Sequence, residues 1–588
     1  MKRRLYLLML AGAGLFSCDK DFLQRDPKTS LTEETFFKSV SDLETYSNGF
    51  YNFVGANYSD IFSDNIALNT GSSETDNLIR GGITAATVGG WNNWGDLRRI
   101  NLMLKNVGQA TGDPTQIRHF TGIARFFRAL FYYDMVKRYG DVPWYSTVLG
   151  TGDEKLLYKA KDPRTVVVDS VMKDLEYAVA NIQASGTNTR VTRWAALTIL
   201  ARTALHEGTY RKYHTELNLQ GTAQAFLERA ASASLTIMTD GGFALSADYR
   251  GLFTSNNLDA NKEVIFLQKN SQSNGIANNT HTVLDWQWAL SGQLADEFLM
   301  ADGTPYTSQA NYATKTFVDM FKNRDPRLTE TIMSPGFSTT PSTNAPYLIK
   351  PGFGGLLQVK FYPRDPSLRG GWNLNYTDLP IYRFGEVLLI HAEAKAELGT
   401  LTQSDLDKTV GLLRTRVGMP KLDLAAANAA PDAYLAVAYP GVTGANKGVI
   451  LEIRRERRVE LACEGFRYDD LFRWKAGKLL EKNSQGIYVP ALGALDVTGD
   501  GVEDIAILEA QGKEEPLASV PEAIRAKLVK YYLTEGSFYL SNGTSGKILF
   551  TKDKSQPRQF VEPKYYARPI PLQQLVLNPN LIQPSGWE

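Results

Sequence analysis

The sequence predicts a mostly α-helical fold in which tetratricopeptide-like helix pairs support a loop-rich face. From Leu43 to about Leu235, apolar residues recur at spacings of three and four, as expected for helices that each bury one side. Small residues recur within 195–204 and 230–233, where neighbouring helices must approach closely. Beyond Gly241 the chain becomes rich in Asn, Ser, Gly and Thr mixed with aromatics, which is typical of long loops that carry function.

The composition excludes several classes of protein. Of the 588 residues, 43% are hydrophobic and 22% are charged, which excludes a disordered chain and predicts a large core. The formal net charge of +1 gives no electrostatic footprint for nucleic acid, so nucleic acid is excluded as a partner. Two cysteines, Cys18 and Cys463, are too few for a disulfide framework or a zinc cluster.

The first residues have the pattern of an export signal. Positively charged residues 2–4 precede an apolar run from Leu5 to Phe16, which predicts a signal peptide over 1–17. Ser17 directly before Cys18 resembles the site at which bacterial lipoproteins are cut and acylated on the cysteine. We therefore expect a lipid anchor on Cys18, followed by a polar tether over 18–42, with the protein held on a membrane and not crossing it.

Two halves follow the tether. Residues 43–260 form the predicted N-terminal helical-repeat half, and residues 261–588 form a C-terminal half packed on it as one compact body. In the second half, helical periodicity returns over Glu386–Leu398, closed by Gly399. It recurs over 405–417 and from Val449 to about Lys475.

The sequence offers little catalytic machinery. It lacks the glycine-rich phosphate loops and the G-x-S-x-G elbow, and Tyr210 stands where a second metal-binding histidine would follow His206-Glu207. We expect a packing or capping role, and not a catalytic one, for His391, inside a predicted helix. Paired carboxylates of the glycosidase type remain open, because two such acids can come from anywhere in the chain. The glutamates spaced by four from Glu452 to Glu464 alternate with arginines, which predicts a structural brace.

An acidic loop offers one metal site. Oxygen-bearing side chains stand at loop positions one, three, five and nine, with glycine at position six, which is the spacing that calcium requires. Position twelve, Ile507, lacks the bidentate glutamate of an EF-hand. The sequence thus predicts no required cofactor and leaves open either a structural calcium site or a plain acidic turn. The ligand set would be Asp496, Thr498, Asp500, Val502 and Asp504.

Five segments in register resemble one family. The run from Arg125 to Trp144, Arg-Phe-Phe-Arg-Ala-Leu-Phe-Tyr-Tyr-Asp-Met-Val-Lys-Arg-Tyr-Gly-Asp-Val-Pro-Trp, resembles a helix and turn of SusD/RagB proteins, the surface glycan-binding lipoproteins of Bacteroidetes. Four later segments are similar to the family in the same order: 324–328, 382–394, 456–471 and 569–587. The resemblance covers the whole mature chain. It implies a SusD-like fold with four tetratricopeptide-like pairs beneath a ligand-binding face.

The resemblance also implies a function. It points to a non-catalytic lipoprotein on the outer face of the outer membrane that binds glycans or oligosaccharides. Such a protein hands its ligand to a SusC-like TonB-dependent transporter. Two alternatives stay open, a peptide-binding RagB-type nutrient receptor and a lipid-anchored glycoside hydrolase.

Carbohydrate capture calls for exposed aromatic platforms with a few polar groups, because sugar rings present flat C–H faces. Two tryptophan pairs in loops fit this need and lie in regions that furnish the glycan face in the family. The first is Trp91 with Trp94, after a glycine-rich loop that contains Asn77 and Arg80. The second is Trp286 with Trp288, where alternation places both rings on one side. Trp372, after two glycines, is a weaker third candidate.

Overall fold

The computed structural model describes residues 36–68, 72–91, 93–284, 288–340, 342 and 345–588. The predicted signal peptide, the predicted acylation site Cys18 and most of the tether lie outside the described residues, as does Trp286. None of the helices in the described part of the chain combines the length and the apolar character that a membrane span requires.

Helices dominate the described residues, as predicted. The first half contains α1 Val40–Asn48, α2 Glu74–Ile79, α3 Trp94–Asn106, α4 Pro114–Tyr139, α5 Glu154–Leu157, α6 Arg164–Asn181, α7 Arg193–Tyr213, α8 Ala223–Asp240 and α9 Gly251–Thr254. The second half contains α10 Gly292–Glu297, α11 Arg327–Thr331, α12 Phe384–Leu398, α13 Gln403–Asp407, α14 Val410–Arg416, α15 Leu424–Ala429, α16 Ala433–Ala438, α17 Lys447–Glu460, α18 Arg467–Arg473, α19 Glu522–Arg525, α20 Thr551–Ser555 and α21 Leu572–Leu577.

Ten short strands accompany the helices in the described residues, and the sequence analysis had predicted none of them. They are β1 Ile66–Leu68, β2 Val264–Gln268, β3 Trp288–Leu290, β4 Leu379–Arg383, β5 Tyr488–Val489, β6 Gly493–Leu495, β7 Ile505–Leu508, β8 Val529–Tyr532, β9 Phe538–Leu540 and β10 Gly546–Phe550. The β1–β3 ladder is antiparallel and joins the two halves of the chain, and β2 pairs with β4 in the same sense. The remaining strands form two three-stranded sheets, in the orders β5-β10-β9 and β6-β7-β8.

The helices stack in neighbouring pairs. Helix α4 packs against α3 and α6, α7 packs against α8, and α8 packs in turn against α12 of the second half. Small residues allow this close approach, as predicted: a Cβ added at Gly122 would lie 2.8 Å from Ile182, and one at Gly208 would lie 2.9 Å from Leu227. The alanines at 195, 196, 201, 204 and 230 are all fully buried in these contacts.

Two predicted helices differ from the structure. The stretch from Val449 to Lys475 is two helices, α17 and α18, because Cys463 and Gly465 between them adopt left-handed φ angles of 66° and 81°. The stretch 405–417 is likewise divided between α13 and α14. By contrast, α12 ends as predicted at Gly399, whose φ of 74° is the left-handed conformation that glycine supplies at a helix end.

The main core draws on both halves of the chain. It contains Phe127 and Leu200 from the first half together with Leu388, Phe472 and Ile570 from the second. A second core lies mainly under the loops and short strands after residue 249. Trp94 packs against the main core.

Candidate ligand-binding site

The first tryptophan pair divides between core and surface. Trp91 is 5% exposed, and its ring meets the Tyr139 ring edge-on with centroids 4.8 Å apart. The expectation of an exposed platform at Trp91 is therefore wrong. Trp91 anchors the loop before α3 to the end of α4, and this contact holds the neighbouring Trp94 in place.

Trp94, the first residue of α3, is half-buried. Its ring lies among four aromatic neighbours, with centroids 5.4 Å from Phe131, 5.5 Å from Tyr145, 5.6 Å from Trp91 and 6.4 Å from Tyr132. Edge-to-face packing of this kind fixes the orientation of an indole. Trp94 is also one of the residues that line a groove.

This first groove has a volume of about 550 Å³ and a largely apolar lining. Its walls come from α3, the loop after α4, α5 and α21, with the residues Trp91, Trp94, Leu97, Arg98, Asn101, Tyr145, Leu157, Tyr158, Gln574, Leu577, Asn578 and Leu581 among the lining. The amide of Asn101 donates to the Tyr145 carbonyl over 3.0 Å, and that of Asn578 donates to the Lys159 carbonyl over 2.9 Å. These amides brace the walls, so the groove offers a rigid aromatic surface.

A second groove, of about 560 Å³, is lined in part by Gly90, Asn93 and Asp96, which flank Trp94 in the chain. Gly90 allows the loop before α3 to approach Arg138 on α4, because its φ is +94° and a Cβ there would lie 3.0 Å from the Arg138 guanidinium. The lining is charged: Lys137 contacts Asp469 over 2.8 Å and Asp134 over 3.1 Å. Burial alone would lower the pKa of Lys137, but these two carboxylates outweigh burial and raise it well above its ordinary value. The carboxylates and the ammonium group can all bond to hydroxyl groups.

Asn77 and Arg80 stand on or beside α2 and line neither groove. Arg80 donates to Asp76 over 2.9 Å and to Asp553 over 2.6 Å, and only 6% of its side chain is exposed. The predicted ligand-binding role of Arg80 therefore conflicts with its place in the scaffold, where it ties α2 to α20. Asn77 is exposed and remains a candidate.

The second tryptophan pair is only partly described. Trp288 begins β3, is half-buried and packs against the second core. It pairs with Leu68 at the end of β1, so the β1–β3 ladder joins chain segments about two hundred residues apart. Whether Trp286 shares a surface with Trp288 stays a prediction, because Trp286 lies outside the described residues.

Hydrogen bonds within the acidic loop engage three of the predicted calcium ligands, Asp496, Asp500 and Asp504, and calcium binding there stays a prediction. Asp496 accepts backbone N–H groups from Thr498, Gly499 and Gly501 over 3.1, 2.6 and 2.9 Å. Asp504 accepts two further backbone N–H groups, and Asp500 accepts that of Val502 over 2.9 Å. In the described part of the chain, no three His, Cys, Asp or Glu side chains are grouped to hold a metal ion. The loop is shaped by its own hydrogen bonds.

The His206-Glu207 pair and His391 are buried and take part in structural contacts. Glu207 accepts from Arg164 and Arg211, each over 2.7 Å, and is 2% exposed. His391 is 3% exposed and its Nδ1 lies 3.1 Å from the Ser234 hydroxyl, as its predicted packing role requires.

The arrangement found at the two grooves can hold a ligand by stacking and hydrogen bonding.

Sequence reasoning missed the outer wall of the first groove. Tyr158 and Leu577 come from segments that lie far from Trp94 in the chain, and both are largely exposed. One signal was available: no charged residue occurs from Pro569 to Trp587, although leucine and valine recur there. An uncharged apolar surface segment of this kind indicates a binding surface.

Paired helices that support aromatic grooves define a helical-repeat binding scaffold. Comparison with known proteins gives the family: residues 262–587 match the SusD family, and residues 21–205 match a related family described as "Starch-binding associating with outer membrane". The chain belongs to the SusD family.

Among curated relatives, the chain is similar to two SusD-like proteins of Formosa agariphila. It is 25% identical to protein P25 over 49% of this chain and 53% of that protein, so the match spans about half the length of this relative. It is 22% identical to protein P2 over 77% of this chain and 88% of that protein.

Solved structures share the fold. A SusD-like carbohydrate-binding protein from Bacteroides fragilis matches with a TM-score of 0.68 and 21% identity, covering 93% of this chain and all of that one. A structure described as a laminarin-binding SusD-like protein matches with a TM-score of 0.59 and 17% identity, covering 94% of this chain and all of that one. The predicted SusD-like, mostly α-helical fold is thus confirmed.

Proposed function

We propose that this protein is an outer-membrane lipoprotein that binds glycans or oligosaccharides at the cell surface and delivers them to a SusC-like TonB-dependent transporter. The protein does not break a bond in its ligand. Family membership supports the ligand class, and the likeness in fold to a laminarin-binding SusD-like protein supports it further. The observation that carries the proposal is the Trp94 ring, fixed by its aromatic neighbours and lining a groove.

The two grooves make different kinds of contact with the ligand. A sugar ring stacks its C–H face on Trp94 in the apolar groove, which contributes about 1 kcal/mol. Hydroxyl groups of the next unit reach the charged groove, where Asp134 and Asp469 accept hydrogen bonds and Lys137 donates them. Each contact is weak, so longer chains that engage both grooves bind more tightly than single sugars.

Substitution of Trp94 tests the site. We expect Trp94→Ala to weaken binding of a retained polysaccharide about fivefold, the equivalent of ~1 kcal/mol. The measurement is retardation in native gels that contain laminarin, starch or xylan. Trp194→Ala is the matched control, because Trp194 is also a half-buried indole at the start of a helix but lines neither groove.

The same gels separate the alternatives. Retardation without released reducing ends supports binding without catalysis, and released reducing ends would establish a hydrolase. Equal retardation of Trp94→Ala and the parent protein would remove the groove from the proposal. Retention of peptides in place of every polysaccharide would favour the RagB-type nutrient receptor.

The lipid anchor is tested separately at Cys18. We expect Cys18→Ser to abolish incorporation of radiolabelled palmitate and to move the protein from the outer-membrane fraction. Persistence of the label in this variant would contradict acylation at Cys18. Co-purification of a TonB-dependent transporter with the parent protein, from membranes solubilised in mild detergent, tests the proposed partner.

A further inference from the structure

A second aromatic surface lies on loops 271–280 and 370–377 and takes no part in either groove. Trp372 is 60% exposed, and Leu374 and Ile276 on the same two loops are 48% and 47% exposed. The two glycines before the tryptophan make the turn that presents it. Gly371 has a φ of +117°, and a Cβ at Gly370 would lie 2.9 Å from the Leu374 carbonyl oxygen.

The two loops are fastened to each other by amide groups. The Asn279 side chain donates to the Asn373 side-chain oxygen over 2.8 Å and accepts the Asn373 backbone N–H over 2.6 Å. One residue earlier, the Asn278 backbone N–H donates to the Asn375 carbonyl over 2.9 Å. These hydrogen bonds therefore fix the loop that carries Trp372 before a ligand binds, which reduces the entropy cost of binding.

The two loops also carry no charged side chain. Residues 270–280 and 370–377 include no Asp, Glu, Lys or Arg, and they are rich in amide and hydroxyl side chains. Three charged residues flank the two loops: Lys269 pairs with Asp378 over 3.0 Å, and Arg369 directs its guanidinium to the Tyr362 hydroxyl and to the Thr339 carbonyl over 2.7 Å. A neutral surface gives a charged peptide or an anionic headgroup no electrostatic advantage. An indole bordered by amides instead matches a neutral ring that has one apolar face and hydroxyl groups at its edge.

We infer that Trp372, with Asn279 and Asn373, forms a second carbohydrate-contact surface that takes a neutral sugar ring of an oligosaccharide. This inference rests on the proposed function and adds a contact remote from Trp94 along the chain. The sugar stacks on the Trp372 ring, and its hydroxyl groups bond to the amides that fasten the loops. Such a contact raises affinity for neutral glycans and contributes nothing to the binding of anionic ones.

Fluorine NMR of the full chain, labelled with 5-fluorotryptophan, tests this inference directly. The resonances of Trp372 and Trp94 are assigned from Trp372→Phe and Trp94→Phe. The probes are laminarihexaose, maltohexaose and xylohexaose, with hexagalacturonate as the anionic comparison. We expect the Trp372 resonance to shift with at least one neutral hexasaccharide and to stay in place with hexagalacturonate.

The two resonances distinguish the two proposals. A shift at Trp94 alone overturns the second surface and leaves the proposed function standing, whereas a shift at Trp372 alone removes the groove at Trp94. Absence of any shift at Trp372 with all three neutral probes overturns the inference.

Affinity gives a second readout. Trp372→Ala should bind the shifting hexasaccharide about fivefold more weakly. Val437→Ala, which alters an exposed apolar residue elsewhere on the surface, should bind it as the parent does.

Discussion

At the scale of single residues, the centre of the second half is a buried network of charges. Glu460 accepts hydrogen bonds from Arg416 over 2.7 Å, Arg383 over 2.8 Å and Arg327 over 3.0 Å, and its side chain is fully buried. Burial alone would raise the pKa of Glu460, but the three guanidinium groups outweigh burial and hold it well below its ordinary value. The brace predicted from the alternating charges of this helix is confirmed, and its partners come from three other segments.

Removing the charge of Glu460 should therefore be costly. We expect Glu460→Gln to lower the free energy of unfolding by about 3–5 kcal/mol, because it leaves buried guanidinium groups without their counter-charge. Urea unfolding followed by circular dichroism measures this change. Glu509→Gln is the control: it breaks an ion pair with Lys513 that is more than half exposed and should cost less than about 1 kcal/mol. Equal losses in the two variants would contradict a role of the network in stability.

His206 gives the molecule a pH dependence of known sign. Burial and the positive charges of Arg164 and Lys137 hold the pKa of its imidazole well below the ordinary value. As the pH falls below about 6.5, the ordinary pKa of histidine, the imidazole takes up a proton in the unfolded chain but stays neutral in the folded protein. The contribution of His206 to stability is thus complete above this pH and falls as the pH drops below it.

The expected experiment compares melting temperatures between pH 7.5 and pH 5. The parent protein should lose stability over this range, and His206→Gln should lose less of it, since the variant has no imidazole to protonate. Parallel curves for the two proteins would show that His206 does not set this dependence.

The tryptophan pair shows what a sequence can and cannot reveal about a site. The local pattern identified Trp91 and Trp94 as candidates, but contacts decided which ring is exposed. Trp91 is buried because Tyr139, at the end of α4, meets its ring. Arg80 is occupied because Asp553 reaches it from a segment near the far end of the chain. Such contacts follow from tertiary packing, which no local window of residues contains.

At the scale of elements, helix ends set by local residues were predictable and breaks set by distant ones were not. Gly399 ends α12 through its own conformational freedom. The break between α17 and α18 depends on Asp60, which accepts the backbone N–H groups of Cys463 over 2.6 Å and of Gly465 over 2.9 Å. Asp60 lies about four hundred residues earlier, so the helical pattern alone predicted one continuous helix. The strands after residue 487 escaped prediction because each has five residues or fewer.

The contact between α15 and α17 requires a glycine. A Cβ added at Gly448, in the first turn of α17, would lie 1.8 Å from the carbonyl oxygen of Ala427. We expect Gly448→Ala to destabilise the protein by about 1–3 kcal/mol, because the two helices must separate. Thermal unfolding measures the loss, and Gly108→Ala is the control, since nothing lies within 4 Å of a Cβ there. A melting temperature equal to that of the control variant would show that α17 can shift at no cost.

At the scale of the whole molecule, the sequence predicted the helix pairs but not how the halves share a core. Leu200 on α7 and Leu388 on α12 belong to one cluster, and so do Phe127 and Ile570. The halves 43–260 and 261–588 were predicted to form one compact body on the absence of a linker between them. The shared cluster gives that prediction a physical basis and leads to a test.

We expect residues 36–260, expressed without the second half, to fail to unfold cooperatively. The isolated segment would expose the face of α8 that packs against α12, and β1 would lose its partner β3. Near-UV circular dichroism and calorimetry measure this, with the full chain as the reference. A sharp thermal transition in the isolated segment would establish an independent domain.

The use of Phe560, Ile570 and Leu581 in the main core has a consequence for biosynthesis. These side chains leave the ribosome hundreds of residues after Phe127, the residue whose cluster they complete. Until residues 560–581 have been made, the nascent chain lacks the groups that cover its apolar helices, and contacts this distant in sequence form slowly. The main core therefore cannot be completed until residues 560–581 have been synthesised, which leaves the earlier helices for chaperones to hold.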